Sequence, residues 1–157
     1  MPKNAEVCRL LDILTLDMLD LIQQQVQCKV DIEKHKNEGD ILLAKARYIQ
    51  GVSSVSSSQL PTENSGDFQA LTTIAHSADE STGAEKFQIE KHPVSKEAGY
   101  VNPVHWFGVL VPRCLQMARD MFDKTLQLVV ESANIQNELR NCICGILSLK
   151  KVKYDIE

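Results

Sequence analysis

Between Asn4 and Gln50 the apolar residues recur at steps of three and four: Val7, Leu11, Leu14, Met18, Leu21, Cys28, Ile32, Leu42, Ala46 and Ile49. This spacing draws one seam along an α-helix, and a seam of that length left bare in water would aggregate, so it must be covered. Glu6, Asp12, Asp17, Asp20, Lys29, Glu33 and Lys36 lie off the seam and mark a solvated face. Asn4 is a good N-cap, Glu6 suits the first turn and Gly51 supplies a left-handed stop. The pattern predicts a helix over 4–50, about 70 Å long at ~1.5 Å per residue. Gln25, His35 and Gly39 interrupt the seam. A buried amide at such a place fixes register, because slipped pairings leave it without a partner. Gly39, about 1 kcal/mol poorer than Ala as a helix former, marks a candidate kink.

A second stripe starts after Pro112: Leu115, Ala118, Phe122, Leu126, Val129, Ala133, Leu139, Ile143 and Ile146 or Leu147, ending near Val152, with Gln136 as its interruption. Lys150, Lys151 and Lys153 suit the negative end of a helix dipole. Ahead of it, Asn102-Pro103 caps one helical turn that Gly108 ends, so the second ordered region spans 102–153. Across 51–101 periodicity disappears and polar residues prevail, with a serine tract at Ser53, Ser54, Ser56, Ser57 and Ser58. This reads as a flexible linker in which Phe68-Gln69-Ala70-Leu71 and Phe87-Gln88-Ile89 each form a turn of helix or a short strand. The two stripes cover one another most simply in a single all-α domain, an antiparallel coiled-coil hairpin of long helices with a largely disordered connecting loop. Gln25 and Gln136 are then candidate partners across the seam.

The net charge of −4 offers no cationic surface for nucleic acid. No stretch reaches the ~18 uncharged apolar residues of a membrane span. Met1 to Cys8 lacks the apolar core of a secretory signal, so the chain is expected to face the cytosol. Five irregularly spaced cysteines (Cys8, Cys28, Cys114, Cys142, Cys144) form no disulfide framework and are expected to be reduced thiols. Cys142 and Cys144 lack the two further ligands that zinc requires, so neither metal nor cofactor is expected. No phosphate-cradling loop, His-Glu-x-x-His pair or nucleophile elbow occurs. His35, His76, His92 and His105 do not converge on a nucleophile in the sequence, and the chain is expected not to be an enzyme; an enzymatic alternative would act through Cys114 or His105. Asp12, Asp17 and Asp20 form a solvated acidic face or receive a basic partner.

One segment exceeds what a hairpin seam needs. Trp106-Phe107-Gly108-Val109-Leu110-Val111-Pro112 crowds the single Trp, a Phe and three aliphatics between two helix starts. Such residues anchor either a partner or the return of the chain onto the first helix, and the two roles can coexist. Together with Asn102-Pro103, Leu115, Leu126-Gln127-Leu128 and Ile135-Gln136-Asn137, this segment resembles the coiled-coil vacuolar ATPase assembly factor family of animals, counterpart of a yeast endoplasmic-reticulum assembly protein. Leu43-Ala44-Lys45-Ala46-Arg47-Tyr48 with Gly51 is similar to the end of that family's amino-terminal helix, and Glu85-Lys86-Phe87 is a loose match in the linker.

The resemblance implies a partner-binding or packing motif of Trp106, Phe107, Gly108, Leu110, Val111 and Pro112 with Lys45, Arg47 and Tyr48. It also implies a peripheral protein on the cytosolic face of the endoplasmic reticulum, with later secretory or endolysosomal compartments as further stations. Its partners would be a two-span membrane protein and subunits of the membrane sector of the vacuolar ATPase, with lysosomal acidification downstream. The competing reading is a self-associating coiled-coil tether.

Overall fold

A computed structural model describes residues 2–78 and 85–156 of the chain, with nothing stated for the side chains of 2–4, 155 and 156. Two long helices, α1 (Pro2–Gln50) and α2 (Arg113–Ile156), flank a pair of strands, β1 (Thr72–Ala78) and β2 (Glu85–Lys91), that form a two-stranded antiparallel sheet. The fold is therefore not all-α, and the connecting segment is not largely disordered: it folds into strands, a short 3-10 turn (Ser57–Gln59) and bridges from Tyr100 to Gln69 and Ser95, and the expected helical turn after it is a 3-10 turn at Pro103–Phe107. The strands arise where β-branched and aromatic residues, Thr72, Thr73, Ile74 and then Phe87 and Ile89, fall at spacings that suit a pleat. The part of the linker at 79–84 lies outside the described residues. α1 runs unbroken through Gly39, where a kink was expected.

The chain divides into two compact units. The first is Met1–Val30, His76–Phe87 and Val129–Glu157; the second is Asp31–Ala75 and Gln88–Leu128.

In the first unit the helices run in opposite directions, since Cys142 Sγ donates to the Leu14 carbonyl (3.2 Å) while Gln25 Nε2 donates to Ser132 Oγ (2.8 Å). Val7, Leu11, Leu14, Met18 and Leu21 are half-buried, and Gln25 and Cys28 are buried, as the seam requires. On α2 one row of covered positions is Ser132, Ile135, Leu139, Cys142 and Ile146, stepping by three and four, and Val130 is buried beside it in sequence. The expected stripe strays from that frame at Val129, Ile143 and Leu147, which are exposed. Gln136 is also exposed, so Gln25 pairs with Ser132 in its place.

A second side of α2 in this unit grips β2. Asn134 Oδ1 accepts the Phe87 N–H (2.8 Å) and its Nδ2 donates to the Phe87 carbonyl (2.9 Å), while Asn137 Nδ2 donates to the Glu85 carbonyl (3.1 Å).

In the second unit Ala46, Val55, Val104, Cys114 and Leu115 form a buried core, with Leu42, Leu43, Phe107 and Val111 packed against it. Gly39 is there for space: a Cβ on it would lie 2.9 Å from Phe122 Cε1. Arg47 Nε donates to the Val55 carbonyl (3.1 Å) and holds the chain that leaves α1 against this core. Lys91 pairs with Asp123.

Candidate protein-binding surface

The second unit holds the whole segment that stood out in the sequence, and its side chains divide between packing and display. Asn102 Oδ1 accepts the Val104 N–H (3.2 Å) and Pro103 follows, so the Pro103–Phe107 turn starts as its cap predicts. That turn buries Val104 and sets Phe107 against the core. Gly108, at φ 127°, takes a backbone conformation that L side chains rarely adopt and ends the turn. The chain then presents Val109 and Leu110 to solvent, 93% and 88% exposed, before Val111 returns to the core and the half-buried Pro112 leads into α2. Gln50 Nε2 donates to the Leu110 carbonyl (3.2 Å), pinning this loop to the end of α1.

Trp106 is half-buried and meets the edge of Phe68, with ring centroids 5.2 Å apart at 72°. The pair contributes to a cleft of about 390 Å³ that Leu60, Pro61 and Val101 also line. Of the α1 residues in the motif, Lys45 and Tyr48 face solvent, Tyr48 at 90% exposure, and Arg47 is committed to Val55. Phe107 and Val111 are thus packing residues, while Leu110, Tyr48 and Lys45 are displayed and Trp106 does some of each.

A strongly apolar concavity lies beside that turn. A groove of about 400 Å³ is lined by Leu43, Val104, Phe107, Leu115, Phe122 and Leu126, with Arg119 and Asp123 as its charged members. An open groove of aliphatic and aromatic side chains with charges nearby suits an apolar side chain or an amphipathic segment of another protein. The sequence placed Phe122 and Leu126 on the seam, and both are half-buried: Phe122 packs over Gly39 of α1 and, with Leu126, also lines the groove. Phe68 and Asn134 were not singled out, and only the Phe68–Leu71 apolar cluster signalled the former.

Cys114 is a buried core residue and His105 is exposed on the Pro103–Phe107 turn. Among the described residues no three His, Cys, Asp or Glu side chains are placed to hold a metal, and no helix is long and apolar enough to cross a membrane.

No protein-family model matches the chain. It is similar to the vacuolar ATPase assembly protein VMA22 of Homo sapiens, 26% identical over 155 residues, which covers 82% of this chain and 83% of the relative. The same protein of Bos taurus is 26% identical over 153 residues, covering 82% of each chain, and that of Mus musculus 27% over 149 residues, covering 82% of this chain and 83% of the relative. All three relatives are vacuolar ATPase assembly proteins, and they support the family that the tryptophan segment and the end of α1 resemble. The similarity extends over most of both chains, whereas the resemblance read from the residues covers the two helices and is weakest across the linker.

Proposed function

We propose that this protein is a non-enzymatic assembly factor for the vacuolar ATPase that acts on the pump's membrane sector from the cytosolic face of the endoplasmic reticulum. The observation that carries the reading is the relationship to proteins named for vacuolar ATPase assembly over 82% of the chain. The geometry supports it: a groove and displayed apolar residues give contact surface, and an assembly factor needs only to bind an intermediate better than the product. A two-span membrane protein of the reticulum is the immediate partner, with membrane-sector subunits reached through it and organelle acidification as the consequence. The groove lined by Phe122 and Leu126 and the cleft at Trp106 are the contact sites. Affinity capture of the full chain from solubilised membranes is expected to recover the membrane partner together with membrane-sector subunits, and Trp106→Ala is expected to weaken capture. Normal pump assembly in cells lacking the protein would remove the proposal.

One observation favours a second reading, a self-associating tether. In the first unit α1 exposes Leu16, Leu19, Val26 and Val30 away from its seam, a face that another copy could cover. Sedimentation that shows dimers growing with concentration would support it, and a monomer throughout would end it.

A further inference from the structure

The end of the second unit, where α1 stops and α2 starts, combines two properties. Its apolar side chains project instead of lining a cavity: Val109 and Leu110 are about nine-tenths exposed, and Tyr48, Ile49 and Val52 are exposed on the last turn of α1 and just beyond it. Its own segments also carry no carboxylate, although Asp67 lines the neighbouring cleft at Trp106. No Asp or Glu occurs over 41–62 or over 98–119, the segments that build this end, although the whole chain carries Asp and Glu in excess at a net charge of −4. The cations there are Lys45, Arg47, Arg113 and Arg119; Arg119 pairs with Asp120, and neither Lys45 nor Arg113 has an ion pair among the described residues. The Gln50–Leu110 bond keeps the loop and the helix end together.

We propose that this end docks directly on an anionic phospholipid surface, with Val109 and Leu110 as the inserted tip and Lys45 and Arg113 drawing it to the headgroups. Projecting aliphatics fit a soft interface better than they fit a second protein's flat surface, and basic residues beside them gain from negative lipid charge. The loop's aliphatics are already in water, so insertion removes their apolar area from solvent without unpacking the core. The inference stands apart from the assembly role, adding a lipid contact to whatever protein tethers the chain.

The test is co-sedimentation of the full chain with vesicles of phosphatidylcholine alone or with phosphatidylserine. Binding is expected to the anionic vesicles only, to fall steeply as salt is raised, and to drop by about tenfold or more in Val109→Asp/Leu110→Asp. Lys45→Glu/Arg113→Glu is expected to lower it by at least about fivefold. All four positions are exposed, so thermal unfolding by circular dichroism should match the wild-type chain. Failure to bind anionic vesicles, equal binding to neutral ones, or binding that ignores the Val109 and Leu110 substitutions would each overturn the proposal, as would capture of this end by a protein segment while vesicles are ignored.

Discussion

Replacing Ser132 with Ala should harm this protein more than replacing its partner Gln25 with Leu. Both residues are 7% exposed, and the Gln25 amide donates to Ser132 Oγ at 2.8 Å while its Oε1 has no partner among the described atoms. Ser132→Ala takes away that acceptor and leaves the amide buried with neither end satisfied, which costs about 1–3 kcal/mol. Gln25→Leu removes the amide together with its unsatisfied oxygen. The serine hydroxyl that remains has the carbonyl four residues back within its reach, the bond that Thr125 and Ser148 make to Met121 and Cys144. The expected change for Gln25→Leu is within about 1 kcal/mol of zero, and the double variant should be no worse, so the two effects are not additive. Urea unfolding followed by helical circular dichroism measures the difference, and the melting temperature should move about 2–4 °C for each kcal/mol in a chain of this length. A Gln25→Leu chain less stable than Ser132→Ala would refute the reasoning, since the buried amide would then be stabilising by something other than its bond to Ser132.

Gly39→Ala should lower stability even though Ala is the better helix former by about 1 kcal/mol, because overpacking against Phe122 costs about 1–3 kcal/mol; adding Phe122→Leu should restore the loss, and urea midpoints of the three chains decide it. Asn134→Ala should speed amide hydrogen exchange at Phe87 while leaving helix content unchanged, since it strips both backbone groups of Phe87 of their partner. A thiol reagent at neutral pH should modify Cys144, which is exposed, well before Cys28 and Cys114, which are buried; rapid reaction at Cys114 would reopen the enzymatic alternative.

The α1 seam was legible because each of its turns buries one position in three or four, and the polar interruptions Gln25 and Gly39 turned out to be buried where the pattern put them. α2 was harder to read. It covers two sides, one toward α1 and one toward the strand that Asn134 holds, so its apolar residues wander between two frames and a single stripe misplaces Val129 and Ile143. β1 escaped the pattern, and β2 was legible only as the Phe87-Gln88-Ile89 segment that reads as a helical turn or a short strand: each strand has seven residues, and what holds β2 includes an asparagine side chain rather than a hydrophobic face. In the tryptophan segment the residue types announced anchors, yet nothing in their order separates Phe107 and Val111, which pack, from Val109 and Leu110, which do not.

The amide of Asn134 has a consequence for how this protein behaves in a crowded cell. Two strands alone leave open rims, and an open rim is a template on which a stray extended peptide can grow. At Phe87 the donor and acceptor that would begin such growth are already taken by a side chain that mimics a third strand. Losing that one amide would expose a nucleation point long before it unfolded either helix.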